Sequence, residues 1–304
     1  NLNEIKFISK RISRFKINQN ILFVKNILIL SDSNGNIITY SLAENKILNK
    51  FNFYKKKIKK IKKKLYYKAE NNILYVSDNI GYLYAYDIFK QKIIWAKNFK
   101  IPFRSNIKIY KNTLIASDQD NNLYFTNKFN GNIIKKIPSE ESLVKGDFVN
   151  NLSVNKSVFF LNTFGTLYAF DPERIELLWI LNINPNIDDN YKNLFTSFEI
   201  KSLNDNLIIL HNNILEVINS KTGNLRFRIP IKSNISPIVI NNYIFIITDD
   251  NLLVTIELNS GKIINSFYIN EQIKNFNNEK ISKQYVTEMK ILNSKINIFL
   301  NNNY

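Results

Sequence analysis

Ile73-Leu74-Tyr75-Val76-Ser77-Asp78-Asn79-Ile80-Gly81-Tyr82-Leu83-Tyr84-Ala85-Tyr86-Asp87 runs from one apolar stretch through a polar turn into a second, aromatic stretch. Ile73 to Val76 is rich in β-formers. Asp78 to Gly81 has Asp opening and Gly closing, as a type I turn prefers. A glycine there adopts positive φ without a steric penalty and closes a longer hairpin loop. Asp87 to Gln91 forms the next turn and Lys92-Ile93-Ile94-Trp95 a third strand. The stretch predicts an antiparallel meander.

The pattern recurs six times, every 38 to 48 residues. One column holds Gly35, Gly81, Asn121, Gly165, Asn213 and Asn251. Six residues on stand Ser41, Asp87, Asn127, Asp171, Asn219 and Glu257, and fourteen on stand Asn49, Trp95, Lys135, Trp179, Phe227 and Asn265. Both tryptophans of the chain fall in the last column. Gly and Asn share the first because Asn tolerates positive φ better than other side chains. In the fifth copy the turn-opening position is Leu210, which predicts a tighter hairpin at Asn213. A further strand precedes each meander, over 20–24, 64–67, 106–110, 148–154, 197–203 and 235–240. Without helical periodicity between repeats, recurrent four-stranded units predict an all-β fold. The expected fold is a β-propeller of four-stranded antiparallel blades. Near-continuous apolar inner strands such as Tyr243 to Ile247 favour blades covered on both faces over a sandwich with one wet face.

Met289 to Leu300 reads as the first two strands of a seventh blade, and residues 301–304 as the start of its turn. The expectation is six complete repeats plus a partial seventh, in one domain over 1–304. Either the chain is truncated at one or both ends, from a full protein of seven or eight blades, or Glu4 to Ser9 supplies a missing strand.

Apolar residues make up 45% of the chain, enough for a substantial core. With no cysteine, disulfides, thiolate metal sites and a cysteine nucleophile are excluded. No run of eighteen apolar residues suits a membrane-spanning helix, and a signal peptide, if one exists, lies upstream of Asn1. The net charge of +17 points to an anionic partner, or to the lysine drift of an AT-rich genome. Its densest part is Lys55, Lys56, Lys57, Lys59, Lys60, Lys62, Lys63 and Lys64, between the first two repeats. Two readings stand: a basic contact for an anionic membrane surface or acidic partner, or a strand with biased, solvated flanks. Nucleic acid is not expected, because Arg is rare and base-stacking surfaces interleave Arg with aromatics.

No catalytic, metal or cofactor site is expected. Asp118, Asp120, Asp249 and Asp250 fall in hairpin turns, where Asp serves the backbone. Asp188 and Asp189 read as a solvated loop, and His211, the single histidine, as a turn residue. Neither a nucleophile elbow nor a Gly-rich phosphate loop occurs.

Leu83-Tyr84-Ala85-Tyr86-Asp87 with Trp95, Leu167-Tyr168-Ala169-Phe170-Asp171 with Trp179, and Asn219-Ser220-Lys221-Thr222-Gly223 with Phe227 resemble the pyrroloquinoline-quinone-like propeller repeat. In that family the strand ends in Asp, a Thr-Gly turn follows, and a Trp docks on the next blade. The resemblance assigns blade docking to Trp95, Trp179 and Phe227. Gly131, Gly223 and Gly261 match the family's turn glycine, whereas Asn45, Gln91 and Ile175 replace it. Asn49, Lys135 and Asn265 stand where it prefers Trp.

The resemblance implies one of two functions. One branch comprises quinone-dependent dehydrogenases, typically with a vicinal disulfide that this chain lacks. The other is a cofactor-free branch of lipoproteins that assist outer-membrane β-barrel assembly from the periplasmic side. Size and lack of insertions favour the second: a non-enzymatic scaffold for protein–protein interaction, with no cofactor or small-molecule substrate. Its inter-blade loops or strand edges would receive the partner, in an outer-membrane assembly complex. A cytoplasmic interaction propeller is a third reading.

Overall fold

The turn columns fix where each strand ends. At the first turn, Asp32, Asp78, Asp118 and Asn162 each accept hydrogen bonds through Oδ1 from the backbone N–H groups two and four residues on, at 2.8 to 3.0 Å. Thr248 Oγ1 does the same for Leu252 N at 3.1 Å. Gly35, Gly81, Asn121, Gly165, Asn213 and Asn251 all have positive φ, from 60° to 99°. At the second turn, Oδ1 of Asp87, Asn127, Asp171 and Asn219 accepts from the N–H two residues on. Short polar side chains thus satisfy the turn donors in both columns.

The computed structural model describes residues 16–18, 21–54, 58, 60–141, 149–184, 195–277, 285–292 and 294–301. The chain divides into two compact units, Asn1–Asn150 and Asn151–Tyr304. The first holds three antiparallel four-stranded sheets, each in sequence order. They are β1 (Leu22–Val24), β2 (Ile27–Ser31), β3 (Asn36–Ser41) and β4 (Lys46–Asn52); β5 (Leu65–Glu70), β6 (Ile73–Asp78), β7 (Tyr82–Asp87) and β8 (Lys92–Asn98); and β9 (Lys108–Tyr110), β10 (Thr113–Ser117), β11 (Leu123–Asn127) and β12 (Ile133–Ile137).

The second unit holds three more: β13 (Asn151–Val154), β14 (Val158–Leu161), β15 (Thr166–Phe170) and β16 (Leu177–Asn182); β17 (Lys201–Leu203), β18 (Asn206–His211), β19 (Ile214–Asn219) and β20 (Leu225–Pro230); and β21 (Ile238–Ile240), β22 (Tyr243–Ile247), β23 (Leu252–Glu257) and β24 (Ile263–Tyr268). β25 (Val286–Leu292) and β26 (Lys295–Leu300) make the two-stranded partial seventh. The fold is a β-propeller of six complete four-stranded blades and part of another. In the fifth, His211 pairs with Ile214 across Asn212 (φ 42°) and Asn213 (φ 62°), the two-residue hairpin that two positive φ values produce.

One element departs from the all-strand expectation. α1 (Ile269–Asn277) connects β24 to β25. Ile269 and Ile273, one helical turn apart, pack with Ile247, Leu253 and Met289, so the helix covers the sixth sheet and the partial seventh.

Burial follows strand position. β14 and β18 are buried along their whole length, while the fourth strands are largely exposed. Each core lies between consecutive sheets: Ile29 and Ile37 with Leu74 and Tyr84, and Val217 and Leu215 with Ile246 and Ile256. Continuous apolar inner strands follow from cover on both faces.

All six fourth strands carry a β-bulge at the same place. Tyr40, Tyr86, Thr126, Phe170, Ile218 and Ile256 pair with Ile47, Ile93, Ile133, Leu177, Leu225 and Ile263. The preceding residue of each third strand pairs two places further on, skipping Leu48, Ile94, Ile134, Leu178, Arg226 and Ile264. An extra residue flips the face presented by everything after it, and it stands directly before the docking column.

A Cβ on Gly81 (φ 99°) would lie 2.8 Å from the Ile101 carbonyl oxygen, and backbone cannot swing away. Gly81→Val is therefore expected to cost about 2 kcal/mol, whereas Ile80→Val in the same loop stays nearly neutral. Urea midpoints compare the two.

Candidate functional site

The bulges aim three aromatic rings at turn glycines of the next sheet. A Cβ on Gly131 would fall 2.5 Å from the Trp95 ring, on Gly223 2.9 Å from Trp179, and on Gly261 2.8 Å from Phe227. The indole N–H of Trp95 donates to Lys128 O at 2.9 Å, and that of Trp179 to Ser220 O at 3.1 Å. Each indole therefore buries its apolar face and satisfies its single donor. Where the first blade has Asn49, the amide donates to the Tyr86 hydroxyl at 2.8 Å and Phe51 stacks on Tyr86 at 4.4 Å. Docking survives there without tryptophan. The second blade, which receives Asn49, has Gln91 at φ 54° in place of the turn glycine.

The turn acids are structural in their geometry. Asp32, Asp78 and Asp118 are fully buried. Besides its backbone donors, Asp78 accepts from the Tyr54 hydroxyl at 2.6 Å, and Asp118 from Asn122 Nδ2 and the Tyr124 hydroxyl, both at 2.8 Å. Burial pushes the carboxyls of Asp78 and Asp118 above the ordinary range, and these hydrogen bonds offset it only in part. Asp249 holds Asn234 and Lys232 at 2.8 and 3.3 Å. Among the described residues no group of three or more His, Asp or Glu could hold a metal ion. Asp188 and Asp189 lie outside the described residues, as do Glu4 to Ser9.

A raised folded-state pKa contributes stability that is complete below the unfolded value and lost as pH rises through the folded one. Asp118→Asn should therefore flatten the fall in urea midpoint above about pH 4. The amide oxygen still caps the turn, as Asn162 does. An unchanged pH profile would show that Asp118 carries no such titration.

His211 is not a turn residue. It ends β18, buried, with Nε2 3.4 Å from Glu216 Oε2, while Arg228 holds Glu216 Oε1 through Nε at 2.7 Å and a terminal nitrogen at 2.5 Å. Burial pushes the Glu216 carboxyl up, but hydrogen bonds and charge from His211 and Arg228 outweigh it and leave it lowered. The signal in the sequence was Glu216 itself, an acid inside the apolar strand Ile214–Asn219. A cavity of about 410 Å³ lies beside this cluster, lined by Thr196, Ser197, Phe198, His211, Asn213 and Ser233 among others.

Of the four described lysines of the tract, two are exposed and two are not. Lys63 is buried: its ammonium donates to Ile58 O and lies over the Tyr54 ring, and its backbone N–H binds Ser33 O. Lys64 is half-buried, with its ammonium 5.7 Å from the Tyr66 ring centre. Lys60 and Lys62 are exposed, and Lys55, Lys56, Lys57 and Lys59 fall outside the described residues.

With the repeat geometry in place, residues 34–267 match the family of the outer membrane protein assembly factor BamB. The chain belongs to the BamB family. The crystal structure of BamB from Moraxella catarrhalis is similar to it, with a TM-score of 0.65 and 12% identity over 90% of this chain and 78% of that one. The β-propeller domain of Myceliophteria thermophila Cps50 (Swd1) gives a TM-score of 0.58 at 11% identity, covering 96% and 95%. The computationally designed Ika8 protein gives 0.56 at 10% identity, covering 91% of each. At these identities the likeness is one of fold. No curated protein matches the sequence. BamB-family membership supports a propeller scaffold for protein interaction.

Proposed function

We propose that this BamB-family chain is a non-enzymatic scaffold that assists assembly of outer-membrane β-barrel proteins, acting on the periplasmic side of that membrane as one propeller domain. The match to the BamB family over residues 34–267 carries the reading. Local chemistry supports it: the buried turn carboxylates are taken up by backbone and tyrosine donors. The mechanism is binding. Sheets locked by docked aromatic rings hold their connecting turns rigid, and rigid turns present a surface at little entropic cost.

Expression of the chain in an outer-membrane-bearing host lacking its own BamB tests the role. Restored levels of folded barrel proteins are expected, and no restoration despite stable export would overturn it. The alternative of a quinone-dependent dehydrogenase is separated by adding pyrroloquinoline quinone and calcium to purified protein. Dye-linked alcohol oxidation would refute the scaffold reading.

A further inference from the structure

In a four-stranded antiparallel blade the turn between the first two strands and the turn between the last two share one end. In the first unit, contacts between blades bring these ends together. Lys25, in the turn between β1 and β2, lies 5.2 Å from the ring centre of Phe89, in the turn between β7 and β8 of the next blade. Glu70, closing β5, meets Lys128 of the following blade at 2.7 Å. The column of capping residues between the third and fourth strands places Phe89 and Phe129 at the same position, two residues past Asp87 and Asn127. Leu42 stands one residue past Ser41 in the first blade.

These three side chains are exposed, Leu42 to 53%, Phe89 to 46% and Phe129 to 60%, with the ammonium groups of Lys25 and Lys128 5.2 and 5.5 Å from the ring centres of Phe89 and Phe129. Around them Lys25, Lys46, Lys90, Lys92 and Lys111 are exposed. Every described acid of this end has a task. Glu44 pairs with Lys46, Glu70 with Lys128, and Asp87 caps its own turn. In the second unit the positions equivalent to Phe89 carry Glu173, Lys221 and Asn259.

We infer that this end of the first unit is an interfacial binding surface for an anionic lipid bilayer. Apolar side chains on separate convex turns, ringed by lysines, suit a headgroup boundary: the tips reach the acyl region while the ammonium groups meet phosphates. These turns carry no arginine to read a nucleic acid. The surface lies at the opposite end of the blades from Lys60 and Lys62, and the inference does not depend on a role in barrel assembly.

Flotation of the full chain with vesicles of phosphatidylcholine, alone or with about a third phosphatidylglycerol, tests it. Salt-sensitive binding to the anionic vesicles alone is expected. F89S/F129S should weaken it about tenfold, and K60Q/K62Q should leave it unchanged. F129W supplies a readout that needs no loss of binding: its emission should shift to the blue with anionic vesicles. Binding that ignores lipid charge, an unshifted F129W, or loss through K60Q/K62Q alone would overturn the inference. So would retention on heparin or DNA with no flotation. Urea midpoints equal to the parent's establish that the variants are folded.

Discussion

Gly131→Val is expected to destabilise the protein by about 4 kcal/mol, far beyond a surface turn substitution. Two causes add. At φ 71° a β-branched residue meets its own backbone, worth roughly 1–2 kcal/mol. The new side chain also starts 2.5 Å from the Trp95 ring, so the indole must leave its seat and give up the bond to Lys128 O. Undocking is the larger part, since truncating a buried tryptophan costs about 3–5 kcal/mol. Trp95→Ala should therefore be similarly damaging alone, while Gly131→Val added to it costs only the backbone part. A coupling of about 2 kcal/mol from urea unfolding of the four proteins is the result to seek. Strict additivity would mean that ring and glycine do not hold the sheets together.

The second large effect concerns the buried carboxylate of the fifth sheet. Arg228→Ala leaves Glu216 charged, enclosed, and facing only His211, at an expected cost of about 3 kcal/mol. Replacing the pair together, as Glu216→Leu with Arg228→Met, should restore most of that loss, because apolar groups of similar size need no partner. Acid dependence gives an independent check. A lowered folded-state pKa contributes stability that is complete above the ordinary value of 4.5 and disappears as pH falls through the folded one. The double variant should lose that acid-side decline. Asp118 acts in the opposite sense, so the two titrations can be told apart by direction.

The repeat was legible because turn chemistry is local. Asp or Asn two and four residues before a backbone donor, with Gly or Asn at positive φ, specifies a hairpin without reference to the rest of the chain. The six-fold recurrence supplied the rest. The bulges were visible in principle: Ile93-Ile94-Trp95 puts three large apolar residues in a row where alternation demands a polar one. Ile269, Ile273 and Phe276, spaced four and three apart, carry the signature of α1, but one short helical pattern is outweighed by the strand repeats on either side. Lys63 could not have been read. Its burial depends on Tyr54 and the Ile58 carbonyl, which only the folded connection brings to it. His211 depends likewise on two charges contributed by neighbouring strands.

The skipped residue in every fourth strand has a consequence beyond docking. β4, β8, β12, β16, β20 and β24 each end their sheet and expose isoleucine or leucine side chains. Six such borders would invite copies of the chain to stack laterally into fibres. An added straight strand, however, loses register at the extra residue, so that in β12 only Lys135 to Ile137 run on unbroken beyond it. The kink that seats a tryptophan thus also works against lateral polymerisation by a chain rich in isoleucine and asparagine.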